Sequence, residues 1–175
     1  DRPLKFASTS KITFAGGGIS GMAASTSIIA EAEKLIGVQT IGHDKVNQLR
    51  HVRFLRDAEG IAEHMAKHAD IMRPKFELVE SILAEELSDA PCTWTSPRGG
   101  YFITFTGPVG TAKRIVSLAK EAGVTLTGAG APFPYGKDPD DAVIRIAPSY
   151  PPLNELEDAM RIFCACAKIA CAELQ

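Results

Sequence analysis

The sequence predicts a mixed α/β fold, and three observations support this prediction. From Thr93 onward, strand-like and helical patterns follow in the order strand, strand, helix, strand, strand, helix, which is typical of a compact α/β lobe with helices on one face of a small sheet. A long amphipathic helix precedes that lobe. The residues before about Phe54 supply one strand and two helices, too little to bury a sheet. We therefore expect that a large part of the protein lies upstream of Asp1.

The first part of the chain contains a short strand and three helices by pattern. We predict a strand over residues 11–14, a turn at 16–18, a helix over 22–36 with Gly37 as C-cap, and a helix through Phe54 with Asp44 as N-cap. A long helix over residues 59–87 follows, because apolar residues recur there at spacings of three, four and seven. Pro74 lies inside this pattern and predicts a kink rather than an end.

The lobe after Thr93 is predicted in more detail. Its strands are expected over residues 93–95, 101–105, 124–126 and 143–146, the first two joined through Pro97-Arg98-Gly99-Gly100. A helix over residues 111–122 should end at Gly123. Asn154, with Glu157 three residues later, predicts a capping box at the start of the last helix.

Composition bounds the function. The net charge of -2 argues against nucleic acid or an acidic membrane surface as the main partner. The 45% apolar and 23% charged fractions are those of an ordinary soluble domain, and no apolar run approaches the roughly 20 residues of a membrane span.

The sequence predicts no metal site and no disulfide framework. The four cysteines are Cys92, Cys164, Cys166 and Cys171. Three of them share one helical stretch in which neighbours two apart point in different directions, so we expect buried thiols in a reducing cytoplasm. His64 and His68 lie one helical turn apart, but no third ligand completes a recognised spacing. We expect both to be surface or half-buried helix residues.

Lys11 is the most informative residue. It ends Ser8-Thr9-Ser10-Lys11 and precedes Gly16-Gly17-Gly18, and a lysine flanked by hydroxyls and followed by glycines is what a Schiff-base enzyme needs. Its amine must lose a proton to attack an aldehyde, while neighbouring donors hold a phosphate. The ordinary alternative is an exposed lysine at a strand edge.

Two other motifs overlap this segment. Gly16-x-Gly18-x-x-Gly21 matches the dinucleotide fingerprint, with Asp44 near the distance of a ribose-binding acid, although the run before it is polar where that fold has an apolar strand. Ser8-x-x-Lys11 matches the first motif of penicillin-binding enzymes. Those enzymes also need Ser-Asp-Asn and Lys-Thr-Gly, and Ser88-Asp89-Ala90 is the nearest approach, so this interpretation fails.

Several spaced motifs together resemble one family. They are Ser8-Thr9-Ser10-Lys11-Ile12-Thr13-Phe14, the glycine loop, Pro97-Arg98-Gly99-Gly100-Tyr101-Phe102 and Ile144-Arg145-Ile146-Ala147-Pro148-Ser149. From Asp1 to Gln175 the chain resembles the C-terminal part of a fold-type I, class I/II aminotransferase that depends on pyridoxal 5'-phosphate (PLP). The nearest subgroup is the bacterial aspartate aminotransferases related to the aminotransferase-like domains of MocR regulators. The resemblance implies the end of the PLP-binding large domain, with the Schiff-base lysine, over residues 1–56. It implies the small α/β domain over residues 57–175.

The resemblance implies roles for four residues. Lys11 matches the lysine that holds PLP and then moves the substrate's proton. Ser8 matches a serine that contacts the cofactor phosphate, and Ser10 is expected to do the same. Arg145 matches the arginine that binds the substrate α-carboxylate, a role that suits its planar, permanently charged fork. The alternative for Arg145 is a structural ion pair with an acid of the same lobe.

The implied reaction is transfer of an amino group from an amino acid, with aspartate the favoured donor, to a 2-oxo acid by a homodimer. There are two departures from the family pattern. Ile19 stands where family members commonly carry a phosphate-binding arginine, and Asp1 lies too close to Lys11 to replace the aspartate that pairs with the pyridine nitrogen. We therefore expect the chain alone to be inactive. The rival functions are a PLP-binding domain of a MocR-type regulator and a nicotinamide dehydrogenase fragment that uses the glycine loop.

Overall fold

The computed structural model describes residues 3–174, so Asp1, Arg2 and Gln175 lie outside the described part. The strands are β1 (Lys5–Ser8), β2 (Ser20–Ala23), β3 (Thr93–Trp94), β4 (Ile103–Thr106) and β5 (Val143–Ile146). The helices are α1 (Thr26–Gln39), α2 (Lys45–Leu55), α3 (Ala58–Leu87), α4 (Ala112–Glu121) and α5 (Leu153–Ala172), with a 3₁₀ turn at Pro134–Gly136. This mixture confirms the α/β class.

The chain divides into two compact units, one ending at Asp70 and the other beginning at Ile71. Helix α3 contributes residues to both units. The predicted boundary between residues 56 and 57 refers to the domains of a whole aminotransferase and stays a prediction.

In the first unit, β1 and β2 form an antiparallel hairpin that pairs Phe6 with Met22 and Ser8 with Ser20. The predicted strand over residues 11–14 is wrong, because this segment forms turns between the two strands. The predicted start of the first helix is also wrong, since Met22 belongs to β2. Gly37 lies inside α1, which continues until the Thr40 N–H donates to the Ile36 carbonyl at 2.9 Å.

The next two helices agree with the sequence. The Asp44 carboxylate accepts from the Asn47 N–H at 2.9 Å and caps α2, as predicted. Helix α3 continues past Pro74 to Leu87, which confirms that the proline does not end it. These helices place Asn47, His51 and His64 within reach of the segment that carries Lys11.

The second unit is built on an antiparallel sheet in the order β3-β4-β5. The register pairs Ile103 with Ile146 and Phe105 with Ile144, and these four apolar side chains are buried. Alternate residues of a strand share one face, so this face lies in the core. The Phe105 ring packs edge-on against the Phe163 ring of α5, with 5.0 Å between the ring centroids. Ile115 of α4 belongs to the same core.

Two predictions for this lobe are wrong and one is confirmed. Residues 124–126 are not a strand, and the capping box is wrong because Asn154 lies inside α5, after Pro152 at the N-cap. Gly123 follows α4 with φ of 89°, a left-handed conformation that suits glycine, so the predicted end is confirmed.

The cysteines are free, and Cys92, Cys164 and Cys166 are buried, as predicted. Burial raises the pKa of the Cys164 thiol to about 12, so the thiol stays neutral. His64 and His68 are half-buried, as expected. Among residues 3–174, no three side chains of the metal-binding types converge, and no helix is long and apolar enough to cross a membrane.

Candidate active site

Lys11 lies in a tight turn directly after β1. The N–H groups of Ile12 and Thr13 both donate to the Thr9 carbonyl at 3.0 Å, so the chain reverses around Lys11. The Lys11 side chain is exposed. The lysine therefore stands on a hydrogen-bonded turn and not on a strand.

The two predicted phosphate-binding hydroxyls lie next to each other on this turn. Ser8 Oγ donates to Ser10 Oγ at 2.8 Å, and the Ser10 N–H donates to Ser8 Oγ at 3.1 Å. Each hydroxyl has one proton, so this pair leaves the Ser10 proton for an outside acceptor. Both side chains are exposed. The structure thus brings Ser8, Ser10 and Lys11 together on four consecutive residues.

The glycine loop returns the chain against this turn. Two hydrogen bonds of 2.9 Å join Thr9 and Ile19. The Thr9 N–H donates to the Ile19 carbonyl, and the Ile19 N–H donates to Thr9 Oγ1. A Cβ at Gly18 would lie 2.7 Å from Ser10 Oγ, so only glycine fits there. Residues 20–23 then form β2, whereas the dinucleotide fingerprint requires a helix at this point. The dinucleotide interpretation is therefore wrong.

A cavity of about 610 Å³ opens beside the hairpin in the first unit. Ser8, Gly18, Ile19 and Asp44 line it, whereas Ser10 and Lys11 are not among its lining residues. Ser8 thus faces a space large enough for a small ligand, with the apolar Ile19 at the position where the family pattern has a cation.

Three anchors of the lysine turn were not foreseen from the sequence. Asn47 donates through Nδ2 to the Gly17 carbonyl at 2.9 Å, His51 Nε2 lies 2.9 Å from Thr13 Oγ1, and His64 Nε2 donates to the Ile12 carbonyl. The only available signal is that Asn47 and His51 lie four residues apart on a helix with a clear N-cap, so they share one face. That spacing does not say what the face contacts.

In the second unit, Arg145 lies on β5 opposite Thr104. Its guanidinium stacks over the Phe102 ring, with Cζ 4.3 Å from the ring centroid. Its Nε is buried and has no hydrogen-bond partner. Within residues 3–174 no carboxylate lies within ion-pair distance of Arg145, so the structural ion pair considered from the sequence is not found there.

Arg145 lines a cavity of about 500 Å³, with Thr127, Tyr150 and Ile162 among its neighbours. Lys75 of α3 fixes the backbone at one edge of this cavity. Its ammonium donates to the carbonyls of Ser149 and Pro151 at 2.6 and 2.7 Å. A cationic fork at the wall of a cavity is suited to bind a small carboxylate.

The start of β5 is fixed by Asp138. Its Oδ2 accepts from the N–H groups of Ala142 and Val143 at 2.9 and 2.8 Å. Desolvation favours the neutral acid, but the backbone donors outweigh it and lower the pKa of Asp138 below its usual value. The strand that carries Arg145 therefore begins at an ionised, hydrogen-bonded carboxylate.

Comparison with known proteins identifies the family. The family model described as "Aspartate amino-transferase" matches residues 1–175. The chain belongs to this family of fold-type I aminotransferases. A protein of Mycolicibacterium smegmatis, named provisionally as an aminotransferase, is 51% identical over 174 residues, which is 99% of this chain and 41% of that protein. An aspartate aminotransferase of Corynebacterium glutamicum is 46% identical over 96% of this chain and 39% of its own length.

Solved structures agree with this assignment. An aspartate transaminase from Corynebacterium glutamicum superposes with a TM-score of 0.93 at 45% identity, over 98% of this chain and 41% of that one. An α-aminoadipate aminotransferase from Thermus thermophilus, solved with N-(5'-phosphopyridoxyl)-L-leucine, shares the fold with a TM-score of 0.81 at 19% identity, over 97% of this chain and 43% of that one. The chain thus spans about two fifths of the aminotransferases that it matches.

Proposed function

We propose that the chain is the lysine-bearing and carboxylate-binding part of a PLP-dependent aminotransferase. The whole protein would move an amino group from an amino acid, with aspartate as the favoured donor, to a 2-oxo acid. Sequence identity to the Corynebacterium glutamicum aspartate aminotransferase supports the choice of donor. We propose a homodimer, as the resemblance to the family implies.

The observation that carries the substrate class is the state of Arg145. No carboxylate of the described residues lies within ion-pair distance of it, its buried Nε has no acceptor, and it stacks on Phe102 beside a cavity. A half-buried guanidinium in this state gains most from a ligand that brings two acceptor oxygens. An α-carboxylate, common to amino acids and 2-oxo acids, provides them.

The residues of the lysine turn fit PLP in two respects. The Ser10 hydroxyl, which accepts from Ser8 Oγ, keeps its own proton to donate to a phosphate, and Gly18 allows close approach of the chain to Ser10. Ile19 supplies no charge, so the hydroxyls and further donors of the whole protein must hold that phosphate. When bound, PLP supplies an aldehyde that reacts with amines and a ring that accepts the electrons of a bond broken at the substrate α-carbon.

In this proposal the residues of the chain divide the work between binding and proton transfer. Arg145 binds the α-carboxylate and so fixes the orientation of the α-carbon. Lys11 Nζ takes the proton from the α-carbon of the amino donor, and in the second half of the reaction it delivers a proton to the α-carbon of the 2-oxo acid. The Phe102 ring holds the guanidinium by covering one of its faces, which limits its rotation before substrate arrives.

The test is amino transfer by the longest native polypeptide that carries this chain, loaded with PLP. Aspartate and a 2-oxo acid are supplied, and the new amino acid and oxaloacetate are measured together. We expect equal amounts of both products, and none from the Lys11→Ala variant. A cofactor held at Lys11 without any transfer would favour the regulatory PLP-binding domain. Transfer that is unchanged in Lys11→Ala would contradict the proposal.

A further inference from the structure

The two residues that follow Lys11 are each held by a histidine side chain. We infer that His51 and His64 are positioning residues, which fix the turn so that the Lys11 amine is presented in one orientation. This inference rests on the proposed function of Lys11. Neither histidine belongs to the motifs that relate the chain to its family.

His64 holds the backbone immediately after the lysine. It projects from α3, and its Nε2 donates to the carbonyl of Ile12. A carbonyl only accepts, so His64 Nε2 carries the proton of this hydrogen bond. His68 Nε2 lies 3.2 Å from the same nitrogen and therefore presents its lone pair, while the Phe54 ring packs edge-on against His64 at 5.0 Å. The ring of His64 is thus held in place from two sides.

His51 holds the next residue and is almost fully buried, with 1% of its surface exposed. Its Nδ1–H donates to the Asn47 carbonyl at 2.9 Å, and its Nε2 lies 2.9 Å from Thr13 Oγ1. The single Thr13 proton can go to Nε2 or to the Thr9 carbonyl at 3.0 Å. In the first case the ring is neutral, and in the second it is an imidazolium that donates to Thr13. Both cases keep Thr13 joined to α2.

The same helix also holds the far side of the loop. Asn47 donates to the Gly17 carbonyl, and Arg50 donates to Asn47 Oδ1 at 2.7 Å while covering the Phe14 ring. The turn therefore has anchors on both sides of residues 12–17, although Lys11 itself is exposed and lies outside regular secondary structure. Displacements of about 1 Å at a reacting group reduce rates strongly, so anchors of this kind have a direct effect on an exposed amine.

The test uses two pairs of variants in the longest native polypeptide that carries this chain. His64→Leu removes the donor, whereas His64→Gln keeps an N–H near the position of Nε2. Thr13→Val replaces the hydroxyl by a methyl group of similar size, whereas Thr13→Ser keeps it. If His64→Leu fails to fold, the Thr13 pair still decides the question.

Two readouts are taken. The first is hydrogen exchange of peptides that cover residues 9–19 in the protein without PLP. The second is the rate at which Lys11 captures added PLP, measured by borohydride trapping at set times and mass mapping. We expect faster exchange and roughly 10-fold slower capture in His64→Leu and Thr13→Val, with His64→Gln and Thr13→Ser within about twofold of the unmodified protein.

The outcomes separate the two proposals. If the unmodified protein captures PLP on Lys11 and all four variants match it in both readouts, the positioning inference is wrong and the proposed function stands. If the unmodified protein never captures PLP on Lys11, the proposed function is wrong. An exchange effect without a capture effect reduces the histidines to structural residues and also overturns the inference.

Discussion

The environment of Arg145 indicates a function, because its buried Nε lacks a hydrogen-bond partner. A guanidinium stays charged at any working pH, and burying part of it without an acceptor costs free energy. This cost is present at Arg145, because its buried Nε has no hydrogen-bond partner and the Phe102 ring covers one face of the guanidinium. This environment supports the proposal that Arg145 binds the carboxylate of a ligand.

This leads to a prediction for Arg145→Lys in the longest native polypeptide. Lysine keeps the charge but loses the planar fork, so we expect kcat/KM for aspartate to fall roughly 10- to 100-fold. The decrease should arise mainly from a higher KM, because carboxylate binding is weakened before and during the reaction. Steady-state kinetics with varied aspartate measures both terms.

Arg114→Lys is the matched control. Arg114 forms a two-pronged pair with Glu173 at 2.7 Å on the surface of the same unit, so the same substitution there removes a fork without a proposed ligand. We expect kcat/KM within about twofold of the unmodified protein, as is usual for surface pairs. Equal effects of the two substitutions would contradict the role of Arg145.

At this scale the sequence was informative where chemistry needs a particular side chain. Lys11 and Arg145 could be proposed from the sequence because a Schiff-base amine and a carboxylate fork each have one suitable residue type in a recognisable context. His51 and His64 were missed because a histidine in a helix is usually a surface or packing residue. Only the folded chain brings them to Thr13 and Ile12.

Among the elements, β5 depends on a side chain that precedes it. Asp138 accepts from the N–H groups of Ala142 and Val143, where the strand begins. Because these donors stabilise the charged form, the pKa of Asp138 is lowered, and ionisation of this acid is coupled to the order of the strand.

We therefore predict that acid destabilises the unmodified protein more than the Asp138→Asn variant. A carboxyl group whose pKa is lowered on folding stabilises the folded state above its unfolded pKa of about 3.9, and this contribution is lost as the pH falls through the folded value. The variant should be less stable at pH 7 and should lose less on acidification. Urea unfolding followed by circular dichroism between pH 7 and pH 3 measures this.

Asp140→Asn serves as the control, because the Asp140 side chain is exposed. It should follow the unmodified protein across the whole range. Parallel curves for Asp138→Asn and the unmodified protein would show that the Asp138 carboxylate does not stabilise the fold.

The elements also show where pattern reading succeeds and fails. The limits of β5 were predicted correctly, because Val143-Ile144-Arg145-Ile146 is apolar and rich in β-branched residues. The hairpin of β1 and β2 was missed, since Lys5–Ser8 and Ser20–Ala23 are exposed and carry little apolar alternation. Their pairing depends on the return of the glycine loop, which binds Thr9 to Ile19. The intrinsic strand propensities of these residues do not indicate that contact.

For the molecule as a whole, the first unit presents unusual apolar surface. Its strongly exposed apolar side chains include Phe6, Leu35, Val38, Ile41 and Val46. Soluble proteins rarely leave large apolar patches open to water unless something covers them. The chain spans only about two fifths of the aminotransferases that it matches, and we expect the remaining sequence of a whole aminotransferase to cover these side chains.

We predict that the 175-residue chain, prepared alone, binds the dye ANS strongly and does not transfer amino groups from aspartate. The longest native polypeptide should bind little dye and be active under the same conditions. Fluorescence titration and product analysis measure the two properties. Full turnover by the isolated chain would contradict the expectation that residues outside it are required.

At the scale of the molecule, the family could be inferred from the sequence because its motifs are spaced along the whole chain. The division at residue 70 could not, because α3 runs through it as one continuous amphipathic pattern. The choice of substrate side chain could not be predicted either, because none of these motifs indicates which residues would contact it.

The central claim is that Lys11 is the residue to which PLP becomes attached. The most direct measurement is borohydride reduction of the longest native polypeptide in the presence of PLP, followed by peptide mass mapping, with the Lys5→Arg variant as a control for neighbouring amines. The account predicts a stable pyridoxyl group on Lys11 in both proteins. A protein that is folded and saturated with PLP but carries no label on Lys11 would contradict it.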